Sequence, residues 1–324
     1  MTAIETRGLT KYYGDVRGIE DLSLTVERGE VFGFLGPNGA GKTTTIRTLL
    51  GFLSPTAGEG RVLGRDVTDE RALLEAKRRI GYLPSDPGFD EGVTGREFVA
   101  YHASLKGDER SEELIELFDV PVDRKIREYS RGNRQKVAIV QAFMHEPELV
   151  IMDEPTSGLD PLVQERFNGL LREERDRGVT LFTSSHVLSE VRKVCDRVGI
   201  VRDGRLVALE DVEALLDRSG KRVRVQVAES VAPDDFALPG VHDLRVDDWV
   251  RFTYTGPYDA LLERLLDYTV VDLDIEEAPL EDAFMRFYGD EGGGKGDDGK
   301  GDGGDGGAAI EEGDDGATTG STDV

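Results

Sequence analysis

Val31-Phe32-Gly33-Phe34-Leu35-Gly36-Pro37-Asn38-Gly39-Ala40-Gly41-Lys42-Thr43-Thr44 passes from an apolar run through a glycine-rich turn into a polar segment. The run Glu30–Leu35 reads as a buried strand and Thr43–Leu50 as a helix. Between them Gly36 is followed, after four residues, by Gly41-Lys42-Thr43. Glycines permit positive φ, so successive backbone N–H groups can turn inward as an anion nest. The helix start adds the positive end of its dipole. This is a cradle for a chain of phosphates, with Lys42 able to reach the outer phosphates and the Thr43 hydroxyl able to face a divalent cation.

A second stretch, Leu149-Val150-Ile151-Met152-Asp153-Glu154, ends an apolar strand on two carboxylates. Ligands of parallel sheets sit at the carboxyl ends of the strands. Asp153 there suits Mg²⁺ through its water shell, because hard cations take oxygen donors. Glu154 is placed to orient and polarise an attacking water. The same two acids also open the turn Glu154-Pro155-Thr156. Further short β-branched runs alternate with helical patterns across residues 1–220: Pro161–Arg177 reads as helix and Val179–Ser184 as strand. That alternation predicts α/β architecture with a largely parallel sheet. Asp203-Gly204 marks a hairpin between Val198–Arg202 and Arg205–Ala208.

The chain changes character after residue 220. Arg222–Val227 and Val250–Tyr254 alternate as exposed strands, with amphipathic helices expected around Ala260–Leu266 and Leu280–Tyr288. Residues 221–289 therefore form a small α+β accessory domain. From Asp290 to Val324 there are 13 Gly and 11 Asp or Glu, with no apolar period, so a disordered acidic tail is expected.

The 324 residues carry 40 Lys+Arg against 65 Asp+Glu, a formal charge of −25. That excludes a nucleic-acid surface as the main role, since duplex binding needs a basic face. The bases are 10 Lys against 30 Arg, and the acids run through the whole chain. Such a surface matches proteins of salt-rich cytoplasm, where ions screen self-repulsion. One cysteine, Cys195, allows no internal disulfide. No apolar run approaches the length of about 18 residues that reads as a membrane span, and no signal pattern opens the chain. A soluble, cytoplasmic protein is expected, reaching a membrane only through a partner.

The order of the phosphate loop, Tyr129-Ser130-Arg131-Gly132-Asn133, Asp153-Glu154-Pro155-Thr156-Ser157-Gly158-Leu159-Asp160 and Ser184-Ser185-His186 resembles the nucleotide-binding subunit of ABC transporters, over about residues 3–215. The segment 221–289, ending Pro279-Leu280-Glu281-Asp282-Ala283-Phe284, is similar to the C-terminal extension of ATPase subunits serving ABC-2-type exporters. The fold implied is an α/β P-loop NTPase of the ABC type with a small α+β C-terminal extension and a disordered acidic tail. The function implied is ATP hydrolysis that powers an integral-membrane permease, with export as its direction and the subunit peripheral on the inner face of the membrane. ATP and Mg²⁺ are the implied cofactors, and a homodimer or heterodimer of ATPase subunits the implied assembly.

The resemblance also implies residue roles. Gly36, Pro37, Asn38, Gly39, Ala40, Gly41, Lys42, Thr43 and Thr44 hold the phosphates. Tyr13 stacks on adenine, although it also reads as an ordinary strand-surface tyrosine. Ser130 and Gly132 cap the γ-phosphate of the facing subunit; locally, Ser130 is also an N-cap for a helix Arg134–Met144. Asp160 lines the dimer interface and reads equally as an N-cap before Pro161. His186 contacts the γ-phosphate. Two positions depart from the family pattern. Ser85 stands where a glutamine usually touches the metal or attacking water, so a metal role needs a bridging water there. The loop Asp86–Val93 after it is expected to face the partner. Arg131 stands where the signature has glycine: a backbone needing positive φ would be strained there, and the alternative expected is an ordinary backbone with the side chain pointing away.

Other classes fit less well. A soluble ABC-type ATPase of translation would carry two such domains, and one of DNA repair a long coiled coil in the 111 residues between Gly41 and Asp153. A small GTPase would need an Asn-Lys-x-Asp base reader, which is absent from the sequence. A pure binding module has no use for Glu154.

Overall fold

The computed structural model describes residues 1–277. The helix expected over Leu280–Tyr288 and the tail expected from residue 290 lie outside the described residues. In chain order the elements are β1 (Thr2–Tyr13), β2 (Val16–Glu27), β3 (Val31–Leu35), α1 (Lys42–Leu49), β4 (Ala57–Val62), β5 (Arg65–Asp66), α2 (Glu70–Lys77), β6 (Ile80–Leu83), α3 (Gly95–Lys106), α4 (Ser111–Phe118), α5 (Arg131–Phe143) and β7 (Leu149–Asp153). They continue with α6 (Pro161–Asp176), β8 (Thr180–Ser185), α7 (Leu188–Val194), β9 (Arg197–Arg202), β10 (Arg205–Asp211), α8 (Val212–Ser219), β11 (Lys221–Val227), β12 (Val241–Val246), β13 (Val250–Tyr254), α9 (Tyr258–Leu265) and β14 (Val270–Glu277).

The central sheet runs β10-β9-β3-β8-β7-β6. Its strands are parallel except β10, which closes the edge as an antiparallel hairpin with β9. Asp203 and Gly204, the two hairpin residues, both take positive φ (51° and 77°), as a tight twisted turn requires. Strands β3 and β7 are buried on both faces, which explains their unbroken apolar runs. Phe32, Phe34, Leu149 and Ile151 enter one core layer, while Val31, Leu35, Val150 and Met152 enter the other.

A separate antiparallel sheet, β2-β1-β4-β5, supplies Ile4, Leu9, Ile19, Leu22, Leu24 and Val26 to the first of those layers. The sequence reading, a largely parallel sheet across residues 1–220, overlooked it. Alternation along β1 signals a half-buried strand but not its neighbours, and β1 pairs with both β2 and the distant β4. Helices α4, α5 and α6 cover the second layer through Leu114, Phe118, Val140, Phe143, Phe167 and Leu170. Arg110 and Glu174, both buried, form an ion pair where α4 meets α6.

From Lys221 a four-stranded antiparallel sheet, β12-β13-β11-β14, is backed by α9. Its strands are not the exposed ribbons expected from their alternation. Val223, Val225, Val250, Phe252 and Tyr254 are buried with Leu261 and Leu265, because one face of the sheet packs under the helix. Among the described residues no helix is long and apolar enough to cross a membrane.

Candidate active site

Parallel register gathers the site. Leu35 lies beside Ser185, and Asp153 beside Ser184, so β3, β8 and β7 deliver three segments to one sheet edge at their carboxyl ends. The turn after β3 wraps tightly before α1. Gly41 has φ 105°, and a Cβ on it would come within 2.7 Å of the Gly18 carbonyl oxygen, so no other residue fits without displacing that strand. A Cβ on Gly36 would meet the Val201 carbonyl oxygen at 2.3 Å. The buried Lys42 side chain turns back along the loop, and its Nζ donates to the carbonyls of Gly36 (2.7 Å) and Pro37 (3.1 Å).

Beside the loop, the Thr43 hydroxyl donates to Asp153 Oδ2 at 2.8 Å and the Ser184 hydroxyl to Asp153 Oδ1 at 2.5 Å. Asp153 is buried, so these bonds also offset its desolvation. The Thr43 and Asp153 oxygens are adjacent hard donors, a set that fits Mg²⁺.

Glu154 adopts φ 50°, a left-handed conformation rare for a non-glycine residue. Its N–H is held by the Ser184 carbonyl at 3.2 Å and hydroxyl at 3.1 Å. Its carboxylate is clasped from two sides: Oε1 lies 3.3 Å from Lys42 Nζ and Oε2 lies 3.1 Å from His186 Nδ1. Strained backbone of this kind persists where the surroundings over-determine it. Here it turns the carboxylate off the strand line and toward the phosphate loop.

A cleft of about 280 Å³ opens over this cluster, lined by Tyr13, Asn38, Gly39, Gly41, Lys42, Thr43, Thr44 and Glu154 among others. Tyr13 is half exposed at its rim, its hydroxyl 3.5 Å from Thr44 Oγ1. Ala40 is buried behind the loop. The structure thus brings together the expected nucleotide-side residues and places His186 against Glu154.

Ser130, Gly132 and Asp160 do not line this cleft. Ser130 caps α5, its Oγ accepting the Asn133 N–H at 3.2 Å, and the helix starts at Arg131, three residues earlier than expected. Asp160 caps α6 through bonds of 3.0 Å from the Leu162 and Val163 N–H groups. Both local readings hold. Ser85 is exposed just beyond β6, and its hydroxyl has no hydrogen-bond partner among the described residues. Leu83 pairs with Met152, so Ser85 follows alongside the strand end that carries Asp153 and Glu154.

Arg131 differs from expectation. Its backbone is helical and carries no left-handed strain, but its side chain does not point away: Nη2 donates to Ser157 Oγ at 2.7 Å. Two other residues were not singled out from sequence. Gln135, buried on α5, donates to the Pro155 carbonyl at 2.8 Å. Glu190 accepts from Thr156 Oγ1 and Ser185 Oγ, each at 2.8 Å, tying the turn after Glu154 to the segment before His186. A helical amide and a carboxylate carry no local pattern that announces such partners.

A second, apolar groove of about 310 Å³ lies between β6 and α3, lined by Phe52, Tyr82, Pro84, Pro87, Phe89, Phe98 and Leu105 among others. At its floor Lys106 Nζ donates to the Ile80 carbonyl at 2.6 Å, and burial, with Lys77 nearby, lowers its pKa to about 8.

A family model described as ABC transporter matches residues 19–157. The bacitracin transport ATP-binding protein BcrA of Bacillus licheniformis is 33% identical over 304 residues, covering 89% of this chain and 98% of its own. The Nod factor export ATP-binding protein I of Mesorhizobium japonicum is 34% identical over 306 residues, covering 89% and 87%. A solved ATP-binding subunit of an ABC transporter superposes with a TM-score of 0.60 at 31% identity, over 66% of this chain and 92% of that one. Likeness that runs almost end to end through both chains, on top of this fold and cleft, decides the family: the chain belongs to the ABC transporter ATP-binding proteins.

Proposed function

We propose that this chain hydrolyses ATP at a site shared between two ATP-binding subunits, in a homodimer or heterodimer, and so drives an ABC-2-type export permease from the inner face of the membrane. The observation that carries the reading is the division of the site. Lys42, Thr43 and Glu154 line one cleft, with Asp153 bonded to Thr43 and His186 to Glu154, whereas Ser130, Gly132 and Asp160 neither line it nor touch those residues, and so can serve a facing chain.

Each side chain has a task in this scheme. The loop N–H groups and Lys42 bind the phosphates, and Tyr13 stacks on the base at the rim. Thr43 and Asp153 would hold Mg²⁺, which would neutralise charge on the phosphates. Ser85 would reach that ion only through a bridging water. Glu154 takes a proton from the attacking water, aimed by Lys42 and His186. Closure on ATP and opening after hydrolysis move the permease, which docks in the groove beside the Asp86–Val93 loop. The relatives named for bacitracin transport and Nod factor export favour export as the direction.

The test is purification of the tagged full chain from detergent-solubilised membranes of its own cells. The expected result is a co-purifying integral-membrane protein with about six hydrophobic spans, each of about 20 residues, whose recovery falls when Phe89 is changed to Asp. A chain that fractionates away from membranes with no such companion returns the soluble ABC-type ATPase.

The acidic surface is proposed as an adaptation to a salt-rich cytoplasm. At −25, self-repulsion opposes the compact state when ions are diluted. The melting temperature is expected to rise steadily along a KCl series from low to molar concentration. A melting temperature independent of salt removes this reading.

A further inference from the structure

We propose that Arg131 is a positioning residue: its guanidinium latches the Ser157-Gly158 turn onto the start of α5, so that the Ser130–Gly132 and Ser157–Asp160 segments meet the facing subunit as one preformed surface. The inference rests on the shared-site reading above.

The loop after Glu154 is anchored at its two ends without Arg131. Gln135 holds the Pro155 carbonyl at 2.8 Å, and Asp160 caps α6. Between these anchors sits Gly158 in a left-handed conformation, φ 83°, with the conformational freedom of a glycine. The Arg131 stem lies across it: a Cβ on Gly158 would meet Cγ, Cδ and Nε of Arg131, each at 3.0 Å. The guanidinium then reaches Ser157 Oγ at 2.7 Å, and among the described residues no carboxylate lies within 4.0 Å of it. The charge is thus spent on a neutral hydroxyl in the loop, in a chain where acids are plentiful. Ordering the loop before the subunits meet lowers the entropy lost on association. The planar fork loses less freedom per hydrogen bond than a lysine would.

The experiment uses the full chain. Arg131→Ala is expected to lower kcat for ATP hydrolysis about three- to tenfold, the range of one hydrogen bond, with KM for ATP little changed and the melting temperature unaltered. Ser157→Ala should give the same loss, the double variant no further loss, and Arg131→Lys partial recovery. In the Glu154→Gln background, Arg131→Ala should raise the ATP concentration needed for dimerisation by a similar factor. Wild-type turnover in Arg131→Ala overturns the latch. So does a large loss in Arg131→Ala that Ser157→Ala does not share, because Arg131 then acts on the facing nucleotide directly. If the Glu154→Gln chain itself fails to dimerise with ATP, a site shared between two copies of this chain falls and the latch with it; if it dimerises and Arg131→Ala changes nothing, the latch alone falls.

Discussion

Glu154→Gln is expected to bind ATP normally, to hydrolyse it about 10²- to 10⁴-fold more slowly, the usual contribution of a positioned base, and to accumulate as an ATP-bound dimer. Glutamine is the sharpest probe because it preserves the surroundings. The left-handed backbone at φ 50° is held through the residue's own N–H, which donates to Ser184 whatever the side chain. The amide oxygen can still accept from Lys42, and the amide nitrogen can still face His186. What is lost is the ability to take a proton from water. Binding by the loop N–H groups and by Lys42 is untouched, so the closed state forms and then persists. Nucleotide titration, single-turnover hydrolysis and size-exclusion chromatography with ATP read the three effects separately. Hydrolysis at the wild-type rate would remove Glu154 from the role of base.

The second large effect comes from mixing two inactive chains. Lys42→Ala empties the phosphate loop of the side chain that bridges Gly36, Pro37 and Glu154. Ser130→Arg places bulk and charge at the cap of α5, which in the shared-site scheme would face the partner's nucleotide. Each homodimer then has two damaged sites and should be close to inactive. In a mixed dimer one site carries both changes and the other carries neither. Random mixing makes half the dimers mixed, so with independent sites activity returns to about a quarter of wild type. An ATP-dependent crosslink between cysteines placed beside Ser130 of one chain and beside Gly39 of the other reports the same geometry without needing turnover. The native Cys195 does not interfere, since it is buried and burial pushes its thiol pKa up. No recovery on mixing together with no crosslink would defeat a site shared between two copies of this chain.

Much of this molecule is legible along the chain because the signals are local. Gly41 takes φ 105°, a conformation open to glycine by its own lack of a Cβ, and a loop that bends this way presents its N–H groups whatever surrounds it. The apolar runs 31–35 and 149–152 announce strands buried on both faces, and the Asp203-Gly204 pair announces its hairpin. Ser130 and Asp160 are N-caps by residue type and position alone.

Tertiary structure decides the rest, since it concerns residues that only sheet register and helix docking bring together. The β1 alternation could not say that its partners are β2 and β4. Glu154 is clasped by a lysine 112 positions before it and a histidine 32 positions after it, because β3, β7 and β8 are adjacent and in register. The left-handed turn at Glu154 follows from its N–H being drawn to Ser184 across that same register, and nothing in Asp153-Glu154-Pro155 encodes it. Arg131 looks from its neighbours like a side chain for solvent. Only the docking of α5 against the loop after β7 puts Ser157 within its reach, and spacing along a chain carries no information about such a meeting.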